Sequence, residues 1–358
     1  MEIHRILVIN PGSTSTKIGV FRNEKSRFLK SIVHSAEDLK AFQKISEQYE
    51  YRKNIILDEL RKAEVKLNEI TAVIGRGGLV KPIESGVYEI NERLKEDLKL
   101  GVLGEHASNL GGLIADEIAK TLPAARAFIA DPVVVDELQS IARVSGHPKF
   151  ERISIFHALN HKAVAKAYAK FLEKEYEDLN LIVAHMGGGV TIAAHRNGRV
   201  IDVNQGLDGE GPFSPERSGT LPVGALATLC FSGEYSLDDV KKMITGNGGY
   251  VAYLGTNDAY AVEIMAEKGN KKAQLIQEAM AYQVGKEIGA MSAVLKGNVD
   301  AIILTGGVAY SSWIVDYLKT MVAHIAKVVV YPGEDEMKTL AMNALHVMRG
   351  DLACKKYK

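Results

Sequence analysis

Cysteine is nearly absent from this chain. Its 358 residues include two, Cys230 and Cys354, each isolated. That excludes a disulfide framework and a zinc-binding spacing, and makes a reducing cytoplasm the expected setting. Net charge is missing too, because 44 basic side chains balance 44 acidic ones. This argues against nucleic-acid or membrane-surface partners recruited by bulk electrostatics. No stretch approaches the roughly 18 apolar residues of a membrane span. The apolar run within the opening MEIHRILVIN is too short for a signal peptide. Two familiar phosphate-binding signatures are also lacking. No G-x-x-x-x-G-K-[ST] occurs, and no G-x-G-x-x-G lies between a strand and a helix, so neither a P-loop nor a dinucleotide fold is supported.

What is present is ordinary in bulk and specific in pattern. Hydrophobic residues make up 46% of the chain and charged ones 25%, as in a globular protein. The length accommodates two domains and a sizeable core. Two stretches resemble one another: ILVINPGSTSTK (6–17) and LIVAHMGGGVTI (181–192). An offset of 175 places Asn10 on His185, Gly12 on Gly187 and Thr16 on Thr191. Each is a short apolar run that breaks at a Gly- and hydroxyl-rich turn and resumes as an alternating strand. A tight turn of this kind presents backbone N–H groups to an anion, phosphate above all. A plain hairpin is the alternative for either stretch alone; the repetition favours two related halves holding one polyphosphate. A third glycine turn, Gly306–Gly307, follows another short apolar strand.

The pattern predicts strands over 5–9, 17–22 and 28–33, a helix over 37–66, a strand over 72–75 and helices over 91–99 and 105–121. Asn91 is a plausible N-cap. A strand over 127–130 ends at Asp131-Pro132, and carboxyl ends of strands are where ligand sites gather in open α/β sheets. A long helix over 154–176 carries His157 and His161 one turn apart. The second half repeats three strands (181–185, 191–196, 200–203), followed by helices over 222–230, 237–244, 259–268 and 271–296. A strand over 300–305, a helix from Ser311, a strand over 327–330 and a helix over 335–348 complete the chain. The expected domains are 1–154, which the C-terminal helix 336–358 can rejoin, and 155–335.

Several side chains admit two readings. Asp131 is either a magnesium-side carboxylate or a turn cap before proline. Asn10 either orients a phosphate or metal-bound water, or merely forms a turn. Arg76 lies in a glycine-flanked loop with no acidic neighbour in sequence, whereas Arg217 has Glu216 beside it as a surface ion-pair partner. His157 and His161 have the spacing of two metal ligands, but no third ligand accompanies them.

INPGSTSTK (9–17), IADP (129–132), FHALNH (156–161), AHMGGGVTIAAHRNG (184–198), ERSGTLP (216–222) and LTGGVAYS (304–311) occur in this order. Together they resemble the acetate kinase/butyrate kinase family of carboxylate kinases, within the acetate-sugar kinase/heat-shock-70/actin superfamily. The resemblance spans essentially the whole chain and is nearest to the butyrate kinase and branched-chain fatty-acid kinase branch. It implies an α/β fold of two duplicated ribonuclease-H-like (actin-like ATPase) domains, with mixed sheets and an interdomain nucleotide cleft. ATP and ADP would be co-substrates, Mg2+ the cofactor and a homodimer or larger homo-oligomer the assembly. It also implies roles. Asn10 and the turn Ser13, Thr14, Ser15, Thr16, Lys17 would face the phosphates. Asp131 would be the magnesium-side carboxylate, with Asn10 and the late Glu336 near the metal and Glu334 as rival, because GEDEMKTLA slips by one residue against the pattern. Arg76 and Arg217 would clamp the carboxylate and the transferring phosphoryl group. His157 would stabilise the transition state. His185 with Gly187, Gly188 and Gly189 would form the second phosphate turn, and Gly306–Gly307 would flank adenosine.

The implied reaction suits the residue inventory. A carboxylate is already an anion at neutral pH, so its attack on a γ-phosphate needs no general base. Catalysis then rests on positioning and on charge stabilisation. Gly77 and Gly209 stand where acetate kinase-like sequences carry bulkier apolar residues. A roomier pocket is therefore expected, favouring butyrate or isobutyrate over acetate in a graded way. Two rivals remain: an acetate or propionate kinase, and a nucleotide-gated binding protein of the actin or heat-shock-70 kind. The second is disfavoured by the few residues that follow Tyr331–Pro332, too few for a client-binding domain.

Overall fold

Two antiparallel ribbons nucleate the two sheets of the computed structural model, which describes residues 2–358. β1 (Arg5–Pro11) pairs with β2 (Ser15–Arg22), and β3 (Lys25–Val33) continues the ribbon antiparallel to β2. β4 (Ala72–Arg76) lies parallel to β1. β5 (Val87–Glu89) is antiparallel to β6 (Arg126–Ala130), which in turn runs parallel to β4. In the second half β7 (Leu181–Met186), β8 (Val190–Arg196) and β9 (Arg199–Val203) form the ribbon. β10 (Ala301–Gly306) and β11 (Val328–Pro332) add parallel strands beyond β7. β12 (Cys354–Lys356) pairs parallel with β5. The sheet orders are β12-β5-β6-β4-β1-β2-β3 and β11-β10-β7-β8-β9. β3-β2-β1-β4-β6 thus repeats as β9-β8-β7-β10-β11. The architecture is α/β, duplicated, with two mixed sheets.

The chain divides into two units. The first holds the described residues up to Val135 together with Asp335–Lys358; the second is Asp136–Glu334. Residues 136–154, assigned to the first domain by sequence, therefore group with the second unit. In the first unit, helices Tyr49–Lys62 and Asn109–Lys120 bury Ile56, Leu60, Leu110, Ile114 and Ile118 against Leu7, Ile9, Ile18 and Val20. Helix Glu336–Arg349 packs on β1, β4 and β6 through buried Leu340, Ala341, Ala344 and Leu345. In the second unit, helices Lys271–Val294 and Ser312–Val322 cover the face carrying Ile182, Ala184, Ile192 and Ala194. Helix Ala158–Phe171 covers the Leu181, Val183, Ala301 and Ile303 face. Strands buried on both faces explain the near-continuous apolar runs of β7 and β10.

Three helices are shorter than their periodicity predicts. The expected helix 37–66 breaks into Ala36–Lys40, a short 3-10 turn and Tyr49–Lys62. The Glu47 carboxylate accepts from the amides of Gln43 and Lys44, so those groups serve a cap rather than a helix. The helix expected from 105 starts at Asn109, because His106 and Ser108 bond to each other locally. The helix expected from 154 starts at Ala158. The Ile155 carbonyl accepts from Gly206 N instead, and His157 becomes the N-cap residue at ψ 57°. Asn91 caps as expected, accepting from Leu94 N at 2.9 Å. The three-residue strands β5 and β12 were too short for the alternation pattern to predict.

Candidate functional site

The two glycine turns differ by one residue. Gly12–Ser15 separates the pair Pro11–Thr16, whereas Gly187–Gly189 separates Met186–Val190. The outgoing strands keep the offset of 175, and the return strands have an offset of 174. Both return strands shift register at equivalent points, between Val20 and Phe21 and between Ala194 and His195. Thr191 therefore corresponds to Lys17, not to Thr16. A one-residue slip exchanges the faces of a strand. Thr16 points to the face of Ile18 and Val20, while Thr191 points away from Ile192 and Ala194.

In the first unit the turn is held from behind. Arg52, on helix Tyr49–Lys62, donates to the carbonyls of Gly12 (2.7 Å), Ser13 (3.0 Å) and Ser15 (3.3 Å) and to Thr16 Oγ1 (3.1 Å). Gln48 Oε1 also accepts from it. These acceptors are neutral, and burial lowers the pKa of the guanidinium. Its charge is a fixed positive potential beneath the turn. Thr16 is fully buried, bonded to Arg52 and to His34 Nε2 (2.8 Å), so it braces the turn rather than facing a ligand. Ser13 and Thr14 form the exposed tip, and Ser15 is half-buried. The Gly12 amide is bonded to the Ser15 carbonyl. Lys17 is exposed and sits opposite Asn10 in the register.

Glu336 is the hub on that side. Asn10 Nδ2 donates to its Oε2 at 2.6 Å, and Arg76 Nη1 pairs with its Oε1 at 2.9 Å. Arg76, which has no acidic neighbour in sequence, thus has one in space. Asp131 follows β6 at a φ of 38°, a left-handed conformation costly for a residue with a Cβ. Ser85 Oγ (2.7 Å) and Gly86 N (2.8 Å) donate to Asp131 Oδ1. Among the described residues no hydrogen bond goes to its Oδ2. The carboxylates of Glu336 and Asp131 are thus both oriented by hydrogen bonds. The glycines around Arg76 have packing reasons: a Cβ at Gly75 would meet the Gly111 carbonyl at 2.1 Å, and one at Gly77 would meet Pro132 at 2.7 Å.

In the second unit Arg217 lies against the glycine turn. A Cβ at Gly189 would stand 1.8 Å from its Nη1, so a larger residue there must displace the guanidinium. Nη1 donates to the Gly206 carbonyl at 2.6 Å, whereas the buried Nε has no partner. Burial lowers the pKa of the guanidinium, which Glu216 partly offsets. The alternative reading, a surface ion pair with Glu216, is not what the structure shows; Arg217 is half-buried, and its buried Nε is an unused donor. His157 stacks on His185, centroids 3.8 Å apart and planes 13° from parallel. His185 is oriented by Asn160 (2.9 Å), and Glu334 stands 3.8 Å from its Nε2. Glu334 thus neighbours His185 and Glu336 neighbours Asn10 and Arg76, which separates the two rival carboxylates.

Gly306 has φ 86°, and a Cβ there would strike the Met186 carbonyl at 2.3 Å. Its amide and carbonyl are both bonded to Gly333. Gly307 is exposed and borders a cavity of about 360 Å³ lined also by Tyr260, Glu263, Tyr310 and Ser311.

No group of three or more His, Cys, Asp or Glu among the described residues is arranged to hold a metal ion. Magnesium bound with phosphate oxygens and water needs only one or two carboxylates. Asp131 and Glu336 each supply one oriented carboxylate of that kind.

Sequence reasoning missed Arg52, Thr191 and His195. Arg52 is one basic residue in a charged helix, and only its burial distinguishes it. Thr191 and His195 had a signal, polar side chains four residues apart in a strand whose other residues, up to the terminal Arg196, are apolar.

Comparison with known proteins points one way. The profile described as the acetokinase family matches residues 151–336. The fold is similar to that of an acetate kinase from Porphyromonas gingivalis, with TM-score 0.79 and 20% identity over 96% of this chain and 100% of that one. A propionate kinase from Francisella tularensis gives 0.75 and 20%, over 95% and 98% of the two chains. An acetate kinase from Entamoeba histolytica gives 0.74 and 16%, over 94% and 97%.

Proposed function

The chain belongs to the acetokinase family, and on that premise we propose that it phosphorylates a short-chain carboxylic acid with ATP. The product is an acyl phosphate, formed by direct in-line transfer, and the reverse reaction makes ATP. The observation that carries the proposal is Arg217: a half-buried arginine whose buried Nε is unpaired, packed against the Gly187–Gly189 turn. A desolvated cation with a spare donor is suited to a phosphoryl oxygen or a carboxylate.

The remaining groups divide the electrostatic work. Arg76 is assigned to the acid's carboxylate and Arg217 to the transferring phosphoryl group. His157 donates a hydrogen bond to that group as its charge redistributes. Gly187–Gly189, with His185 beneath, and the Ser13–Ser15 turn contact the phosphates through backbone amides. The cavity beside Gly307 is assigned to adenosine. Asp131 and Glu336 would hold Mg2+, which when bound neutralises phosphate charge. The acid needs no proton removed, so the site uses cations and N–H donors in place of a base.

For the acid itself, the expectation of four carbons rested on Gly77 and Gly209. Gly77 faces Pro132 and Ile129 at packing distance, and Gly209 has φ 83°, so each glycine has a local reason unrelated to pocket volume. The acetate and propionate kinase neighbours support the shorter acids as a second reading at least as well. We also propose a cytoplasmic homodimer. The helix Val223–Cys230 buries no residue, and Phe231 beyond it is 91% exposed, which supports an apolar face for a second copy.

The test is purified protein with Mg-ATP, hydroxylamine and a panel from acetate to valerate. A hydroxamate signal peaking at butyrate or isobutyrate supports the longer-chain reading. A peak at two or three carbons keeps the reaction and selects the second reading. Tight ATP binding without hydroxamate from any acid overturns the kinase proposal.

A further inference from the structure

Behind the second glycine turn, buried polar side chains form a continuous line. Tyr176 Oη lies 2.7 Å from His195 Nδ1, and His195 Nε2 lies 3.4 Å from His161 Nδ1. His161 Nε2 is 2.9 Å from Thr191 Oγ1, which is 2.9 Å from His157 Nδ1. Tyr176, His161, Thr191 and His195 are buried, and the His161 and His195 rings lie within 6° of parallel. Helix Ala158–Phe171 and its N-cap supply His161 and His157 one turn apart; β8 supplies Thr191 and His195 on one face.

Proton bookkeeping constrains this line. A neutral imidazole has one N–H and one lone pair, and each hydroxyl has one hydrogen. With all rings neutral and the Thr191 hydroxyl donating within the line, every proton points toward His157 or every proton points toward Tyr176. A phenol is the better donor and an imidazole nitrogen the better acceptor, as their ordinary pKa values of about 10 and 6.5 indicate. The Lys162 ammonium, 5.5 Å over the Tyr176 ring and paired with Glu137 at 2.6 Å, strengthens the phenol as a donor.

We propose that Tyr176, His195, His161 and Thr191 form a one-directional hydrogen-bond relay that holds His157 as a neutral imidazole, Nδ1 accepting from Thr191 and Nε2 carrying the proton. The hydrogens run from Tyr176 Oη to His195 Nδ1, from His195 Nε2 to His161 Nδ1, from His161 Nε2 to Thr191 Oγ1, and from Thr191 Oγ1 to His157 Nδ1. No net proton moves. Burial supports the neutral state, since it holds His161 and His195 well below the usual histidine range. The four relay members are positioning residues; His157 alone meets the substrate. The stack on His185 fixes its ring plane, and the relay fixes its tautomer. A mixed tautomer would present a lone pair to an anionic phosphoryl group for part of the time. The part of this inference that concerns phosphoryl transfer rests on the kinase reading; the tautomer assignment does not.

The experiment is long-range 1H–15N spectroscopy of the 15N-labelled full chain at pH 7.5, with His157 assigned by the loss of its signals in His157→Gln. The Nε2–H tautomer is expected at His157, His161 and His195. An Nδ1–H or cationic His157 overturns the relay. Thr191→Val should mix the His157 tautomers and lower kcat about 10- to 100-fold, the usual range for outer-shell partners, with KM for ATP within about twofold. Thr191→Ser should restore both readouts. Thr191→Val with a wild-type His157 spectrum also overturns the relay. Tyr176→Phe serves the same purpose from the far end if Thr191→Val does not fold. Nε2–H spectra together with no hydroxamate from any acid would uphold the relay and reject the kinase reading.

Discussion

Arg76 and Glu336 form an ion pair at 2.9 Å, although they come from β4 and from the first turn of a helix near the other end of the chain. Asn10 binds the second oxygen of the same carboxylate. A carboxylate so oriented is prepared to meet a cation, and its loss releases both partners. Glu336→Gln should raise the magnesium concentration for half-maximal activity about tenfold or more, whereas Glu334→Gln should shift it less than about twofold. A magnesium titration at saturating ATP checks both. The reverse ranking would transfer the metal role to Glu334.

Arg52 predicts a coupled loss of stability and nucleotide affinity. Arg52→Met retains much of the volume but leaves the carbonyls of Gly12 and Ser13 without their side-chain donor, while the Ser15 carbonyl keeps the Gly12 amide. Unmet acceptors cost up to about 1–3 kcal/mol each when buried and less at a half-buried turn, so the urea midpoint should fall and KM for ATP should rise about tenfold. Arg52→Lys should not rescue, because an ammonium cannot reproduce the planar fork. Unchanged ATP affinity in a folded Arg52→Met protein would sink the bracing role.

Gly189→Ala tests Arg217 without touching it. The added methyl would overlap the guanidinium at 1.8 Å, so either the turn or the arginine must move. We expect kcat to fall by about 100-fold, comparable to the loss of one charge-stabilising donor. The double variant Gly189→Ala, Arg217→Ala should be no worse than Arg217→Ala alone, because both act on one group. Additive losses would show that the turn acts independently of Arg217.

Acid should destabilise the fold before the carboxylates titrate. Burial and the Arg52 charge lower His34 to about 4, and burial depresses His161 and His195. Between the unfolded value of 6.5 and these folded values, the unfolded chain binds more protons. Stability therefore falls as pH is lowered through that window, by about 1.4 kcal/mol per pH unit for each group fully protonated only when unfolded. Urea midpoints at pH 7.5, 6.0 and 5.0 should decline in order, and His34→Gln should flatten part of the decline. Equal midpoints would contradict neutral burial of these rings.

The sequence by itself determined the duplicated α/β plan, because apolar runs, alternation and glycine turns are local signals. Both ribbons, the single strands that follow them and Asp131 at a strand end follow from it. It also fixed the family, through short motifs in a set order. Tertiary structure decided the pairings made across distance. The carboxylate for Arg76 lies in the last helix, Arg52 reaches the first turn from a separate helix, and Thr191 joins two histidines at the start of the helix that covers β7 and β10. The turn that is one residue shorter shows why. An offset of 175 and one of 174 look alike along the chain, yet a single residue reverses which face of a strand meets the core. Only the paired strands reveal that Thr16 braces a turn while Thr191 turns to His157 and His161.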